Sequence, residues 1–261
     1  KEAYTFDENC IVFNCVQKNG LEYDRFLCEI YPRLLHIKLY IENNPNINKS
    51  IVLLLYYNDT FIKEFLEILN FKNIVICPYN DDVEYVCNTL YLYTPSIYEN
   101  PAKDSIDIIR RSLFNNNVCI PRINILIKIN NNNIINNFDN IFDLLKNKYN
   151  EYQWIVFDCE DDIFKDVVKT IQIFSQANLI IGSHGRGLAN MIFASSDCKI
   201  LELHPEDCGN MYYWHLSNIL KNDYNILSVK NMSKNEIMVN NDQLDYTVNQ
   251  LLDDIFNLEN M

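Results

Sequence analysis

Short β-branched runs alternate along the chain with longer runs whose apolar positions recur at helical spacing, the pattern of a parallel sheet with crossover helices. In the first part this predicts strands at residues 10–15, 51–57, 73–77 and 89–93. Helices fall between them, at 27–43, where Leu34, Leu35, Lys38, Leu39 and Glu42 follow Pro32, and at 60–69, where Phe61, Phe65, Ile68 and Leu69 share a face. Residues 104–114 read as a further helix with Arg110 and Arg111 near its C-terminal end, where the helix dipole favours cations. The polar run after it, and Pro121, mark a boundary.

A strand at 123–128 opens a second unit, followed by an asparagine run at 130–133 that reads as low-complexity loop filler. The pattern then repeats as helix 138–148, strand 154–157, helix 163–175, strand 178–182, helix 188–193, strand 199–203, helix 212–220 and strand 225–229. Five strands with connecting helices make a complete doubly wound sheet. Residues 242–258 form an amphipathic helix through Leu244, Val248, Leu251, Leu252 and Ile255, expected to pack back across the first unit. The expected organisation is therefore two α/β domains, 1–118 and 119–235, with a C-terminal helical segment at 236–261.

Composition narrows the function classes. An apolar fraction of 48% suffices for one large or two small cores, and 13% aromatic residues set the chain apart from a disordered acid. A net charge of -13 repels phosphate backbones and anionic lipid surfaces, so nucleic acid is not an expected partner. No apolar run approaches the roughly 20 residues of a membrane span. An anionic ligand would need a local backbone or guanidinium site to overcome that field.

The nine cysteines are odd in number, and Cys15, Cys77, Cys119 and Cys159 sit in or beside apolar runs, so they read as buried thiols. Neither a Cys-x-x-Cys pair nor zinc-type spacing occurs, which argues against a metal framework and towards a reducing compartment. The acidic groups Asp158, Glu160, Asp161, Asp162 and Asn80, Asp81, Asp82 read as a helix start and a turn rather than metal sites. Starting at Lys1 without a signal pattern, the chain reads as part of a longer polypeptide.

The most informative segment is NLIIGSHGRGLANMIF, where a buried strand ends at Gly182, passes through Ser183, His184, Gly185, Arg186 and Gly187, and enters a helix. The glycines leave room for a ligand to approach the backbone, the helix start offers unpaired N–H groups, and Arg186 adds a forked cation. Two readings stand side by side: a phosphate or pyrophosphate site, and a tight structural turn. The spacing Gly-x-x-Gly-x-Gly differs from the dinucleotide fingerprint, and the P-loop Gly-Lys-Ser/Thr is absent. His36 and His215, on helices, read as satisfied histidines with no site role.

GSHGRGLANMIF followed by KILELHP resembles the His-Gly-Ala-Gly-Leu-x-Asn-x-x-Phe segment and following Glu-Leu strand of the glycosyltransferase 61 family. That family includes protein O-linked N-acetylglucosaminyltransferases and plant xylosyltransferases. Upstream, YDRFLCEIYPRLLHI is similar to the family's Glu-x-x-Pro-Arg-Leu segment, with Glu29, Pro32, Arg33 and Leu34 in place. The resemblance implies a GT-B-like architecture of two Rossmann-like α/β domains facing a cleft, the second holding a nucleotide sugar and the first receiving the acceptor. It implies metal-independent, inverting transfer from a UDP-sugar, such as UDP-N-acetylglucosamine or UDP-xylose, to a hydroxyl of a protein or glycan.

By the same resemblance, His184, Gly185, Gly187, Asn190 and Glu202 would form the donor site, and Ser183 and Arg186 of the same loop are assigned to it beside them. His204 is an alternative to Glu202 facing the nucleotide or sugar. Glu29 is the candidate catalytic base, and Arg25 and Arg33 lie on the acceptor side. No cofactor or metal is expected beyond the donor. Three departures bear on activity: the family's first-segment His is Arg25, its Ala after His-Gly is Arg186, and its arginine-rich stretch is replaced by Lys128 and asparagines. Arg186 would then serve as a relocated phosphate clamp, or the domain would be a degenerate nucleotide- or glycan-binding module of a larger glycan-assembly protein. A nucleotide-dependent dehydrogenase lacks its glycine fingerprint here. Cysteine usage points to the cytoplasm and the family resemblance to the secretory lumen, leaving the compartment open.

Overall fold

The computed structural model describes residues 1–58, 60–93, 101–113, 122–159 and 166–259 of a chain that divides into two compact units, Lys1–Asn115 and Asn116–Met261. Cys119, Pro121, Glu160, Asp161, Asp162, the start of the helix expected from residue 163 and the boundary expected at 118/119 lie outside the described residues.

In the first unit the strands are β1 (Glu2–Thr5), β2 (Cys10–Asn14), β3 (Ser50–Leu55), β4 (Ile74–Pro78), β5 (Val83–Val86) and β6 (Leu90–Leu92). A parallel sheet runs in the order β4-β3-β2-β6, and β1 and β5 form a separate parallel pair. The pair was not anticipated, because β1 is exposed throughout and carries no alternation to betray it. Phe6 and Tyr85 beside it pack on Val12, Val52 and Leu54 of the sheet.

The expected helix at 27–43 is a longer helical run. It consists of a turn at Tyr23–Arg25, a π-helical segment at Phe26–Ile30 and an α-helix at Tyr31–Asn43. Pro32 supplies the reason. It has no N–H to donate to the carbonyl four residues back and its ring crowds that carbonyl, so the preceding turn widens, and the Tyr31 N–H bonds to the Phe26 carbonyl instead. The helix Phe61–Leu69 ends on Asn70, whose φ of 47° closes it in the left-handed conformation that asparagine tolerates. Its Phe65 packs on Phe26 and Tyr31. A further helix spans Lys103–Leu113 and buries Ile106 and Ile109.

The second unit has β7 (Ile123–Lys128), β8 (Ile134–Ile135), β9 (Gln153–Asp158), β10 (Ala177–Ser183), β11 (Lys199–Pro205), β12 (Asp223–Asn231) and β13 (Glu236–Met238). They form one sheet in the order β8-β13-β12-β11-β10-β7-β9. The five expected strands are its parallel heart, with β8 and β13 as short additions at one edge. Numbered by sequence, those five lie in the order 2-1-3-4-5, so the winding reverses between β7 and β10.

On one face, Leu126, Leu179, Ile181, Leu201 and Leu203 pack against helices Phe138–Lys148 and Asn241–Glu259 through Ile141, Leu145, Leu244, Val248, Leu251 and Leu252. Buried Lys199 donates 2.8 Å to the Leu251 carbonyl and fastens the last helix to this unit's sheet. Helices Val167–Phe174 and Tyr212–Leu220 complete the α elements. The helix expected at 188–193 is instead a 3-10 helix starting two residues earlier, Arg186–Phe193. Cys77, expected buried, is half-buried on edge strand β4, and the described cysteines are all free thiols.

Candidate functional site

The strand reversal places the carboxyl ends of β7 and β10 side by side, where open α/β sheets hold ligands. Residues GSHGRG leave β10 there. Gly182 pairs with Glu202 and Ser183 with Leu203, so His184 follows level with His204. Alternate residues of a strand share a face. Thus Glu202 and His204 look out on the same side, and Tyr224, paired with Ile200 on β12, joins them diagonally.

Glu202 is the hub of this cluster. It is almost fully buried, with His184 Nδ1 hydrogen-bonded to Oε1, the Tyr224 hydroxyl donating to Oε2, and His204 Nδ1 3.2 Å from Oε1. Burial alone would raise its carboxyl, but the bonds from His184 and Tyr224 and the neighbouring imidazoles outweigh it and hold the group below the usual carboxylate range. Burial and the Glu202 charge in turn push the Tyr224 phenol well above its ordinary value, so Tyr224 acts only as a donor.

The His184 ring stands edge-on to His204 and to Tyr213, with centroids 5.3 and 5.1 Å away. His204 Nε2 donates to the Cys208 carbonyl at 2.7 Å. With Nδ1 committed to Glu202, His184 is left with Nε2 for a ligand.

The loop backbone is held from both sides. His184 N–H donates to the Leu203 carbonyl at 3.1 Å, and its own carbonyl accepts from Asn133 Nδ2 at 2.8 Å. Asn132 and Asn133 have φ of 56° and 51°. The run read as filler therefore supplies left-handed turns and a strut under His184.

The glycines answer to packing first. A Cβ on Gly187 would sit 2.7 Å from Ile127 Cγ2 and 2.9 Å from Cys159 Sγ, and one on Gly182 would crowd Ile127 and Leu188. Asn190, fully buried, donates to the Gly187 carbonyl at 3.0 Å and closes the 3-10 turn. Ser183 Oγ is buried without a hydrogen-bond partner among the described residues, and Arg186 is exposed and makes no ion pair among them. Lys128 pairs with Asp158 at 3.2 Å at the ends of β7 and β9.

In the first unit, the π-helical turn carries Glu29 inward. Arg25 Nη1 donates to its Oε1 at 2.8 Å, Gln17 Nε2 donates to its Oε2, and Gln17 Oε1 accepts from Arg33 Nη2. All three charged groups are buried. Burial raises the Glu29 carboxyl above its ordinary value despite the bond from Arg25, and burial lowers Arg33. Arg33 lies 5.7 Å from the Tyr93 ring centroid.

The structure thus joins His184, Glu202 and His204 and separately joins Arg25, Glu29 and Arg33. Tyr224, Tyr213, Asn133, Cys208 and Gln17 escaped the sequence reading. Only Asn133 left a signal, the left-handed tolerance of asparagine after a strand.

A parallel α/β unit with a buried carboxylate, two imidazoles and a glycine loop beside its strand reversal has the arrangement in which open α/β sheets commonly hold ligands. The family model described as Glycosyltransferase 61 matches residues 23–201, from the start of the π-bearing helical run into β11. The chain belongs to the glycosyltransferase 61 family, and that family's enzymes transfer sugars. A comparison with curated proteins finds no match.

Proposed function

We propose that the second unit binds a nucleoside-diphosphate sugar, with UDP as the nucleotide, and that the protein is a GT-B-type transferase acting on a hydroxyl of a protein or glycan without a catalytic metal. N-acetylglucosamine and xylose are the sugars suggested by the family resemblance. The observation that carries the reading is the His184–Glu202 pair beside the strand reversal, which leaves His184 Nε2 for a ligand next to a loop bearing exposed Arg186, a residue with no ion pair among the described residues. A departing diphosphate needs cationic or N–H donors, and the Arg186 guanidinium offers two parallel bonds to it.

Ser183, Gly185, Gly187 and Asn190 shape the loop, and Glu202 orients the imidazole. Glu29 is the proposed base, supported by its burial and raised carboxyl. One observation favours a second reading, a binding module without turnover: Arg25 and Gln17 already engage both Glu29 oxygens.

Calorimetric titration with UDP and a panel of UDP-sugars, with and without EDTA, tests the donor site. Saturable UDP-sugar binding that survives EDTA is expected, at least tenfold weaker in Arg186→Ala. Absence of binding at millimolar concentration removes the reading. Release of UDP in the presence of acceptor then separates transferase from binding module.

A further inference from the structure

Beyond the polar contacts of the donor reading, the same corner of the sheet brings together three groups of another chemistry. One nitrogen of His184, one of His204 and Cys208 Sγ lie within 4.8 Å of one another. They come from the end of β10, from β11 and from the turn after β11, so only the folded sheet assembles them.

The surrounding bonds prepare both imidazoles as ligands. His184 gives its Nδ1 to the Glu202 carboxylate, and His204 gives its Nε2 to the Cys208 carbonyl at 2.7 Å. A carboxylate or carbonyl on one ring nitrogen is what fixes a metal-binding histidine and raises the basicity of the other. The nitrogens left over are His184 Nε2 and His204 Nδ1. His204 is nine-tenths buried, and its Nδ1, 3.2 Å from Glu202 Oε1, makes no hydrogen bond of good geometry.

Cys208 is also held. Its N–H donates to the Pro205 carbonyl at 3.0 Å and its own carbonyl accepts from His204, so the half-exposed thiol sits on a fixed turn. Exposed Glu206 and Asp207 precede it and buried Glu202 lies behind, so the local charge favours a cation.

We propose that His184, His204 and Cys208 form a site for a zinc-type divalent cation with its fourth position open, and that filling it withdraws His184 from the donor. Two imidazoles and a thiolate suit a borderline-soft cation rather than magnesium or calcium, which take oxygen ligands. Ligands of tetrahedral zinc sit about 3.5 Å apart, closer than the 4.8 Å within which the three groups lie, so binding calls for side-chain adjustment. On binding, the Cys208 thiol releases its proton to solvent and no electrons move. The cation is inhibitory here, which agrees with transfer that needs no metal. The inhibitory effect rests on the donor reading, whereas the cation site does not.

Cobalt substitution tests the site directly. The full chain titrated with Co²⁺ is expected to bind one equivalent, with a thiolate-to-cobalt charge-transfer band and tetrahedral d–d absorption, both displaced by Zn²⁺. Cys208→Ser should abolish the band and weaken binding at least tenfold, while Cys77→Ser, at a half-buried thiol elsewhere, should leave both intact. Absence of the thiolate band from the wild type, or its survival in Cys208→Ser, overturns the site. UDP titration with one equivalent of Zn²⁺ should show at least tenfold weaker binding, restored by EDTA and absent in Cys208→Ser. Zinc binding with unchanged UDP affinity overturns the inhibition. Failure of UDP to bind with or without zinc strikes the donor reading instead, and the cobalt spectrum still decides the cation site.

Discussion

His184 Nδ1 and Glu202 Oε1 share a hydrogen bond across neighbouring parallel strands, eighteen residues apart in the chain. The bond sets the tautomer of the imidazole and keeps a buried carboxylate charged, two consequences with separate readouts. Tyr224 holds the other oxygen of Glu202.

Removing the Tyr224 hydroxyl leaves that oxygen buried and short of one donor. Hydrogen bonds to charged groups contribute about 1.5–3 kcal/mol, so Tyr224→Phe should lower unfolding free energy by about that amount in urea denaturation. UDP affinity should change less, because His184 keeps its own bond to Glu202.

The two buried carboxylates give opposite slopes of stability with pH. Glu202 lies below its unfolded value of about 4.3, so its contribution is complete above about 4.3 and is lost as pH falls through the folded value. Glu29 lies above its unfolded value, so its contribution is complete below about 4.3 and is lost as pH rises through the folded one. Denaturation across about pH 3 to 7 should show the acid-side slope flattened in Glu202→Gln and the slope above about 4.3 flattened in Glu29→Gln.

A methyl group at Gly187 meets Ile127 and Cys159 inside contact distance, whereas one at Gly209 meets nothing within 4 Å. Overpacking of this kind costs about 1–3 kcal/mol, so Gly187→Ala should lower the melting temperature by several degrees and Gly209→Ala should leave it nearly unchanged.

Asn133 contributes a left-handed backbone and a bond to the His184 carbonyl. Asn133→Ala loses both and should cost about 1–3 kcal/mol with a weaker donor site. Asn133→Gly keeps the backbone freedom and should recover part of the stability but not the UDP affinity. Thermal melts and UDP titration of the pair separate the two contributions.

The central strands and most helices were legible in the chain itself, because a buried parallel strand must be apolar along its length and an amphipathic helix must repeat at 3.6 residues. Helices Phe138–Lys148 and Tyr212–Leu220 and strand β7 stand where the pattern puts them. The GSHGRG loop was legible as well, since glycines between a strand and a helix mark a tight passage.

Other features arise from relations between distant residues, to which local pattern is blind. Pro32 lies inside the helix expected at 27–43, and with helix continuing on both sides of it the outcome is a π turn that carries Glu29 into contact with Arg25 and Gln17. The exposed β1-β5 pair has no hydrophobic signature to read. Most of all, the site depends on register. Sliding β11 by one residue against β10 would turn Glu202 and His204 to the opposite face, and no feature of either strand alone records which alignment packing selects. The chain by itself determined the family, the alternation of strands and helices and the glycine loop. Tertiary structure alone decided that His184, Glu202, His204, Tyr224 and Cys208 share one corner, because strand pairing and burial, rather than proximity in sequence, bring them there.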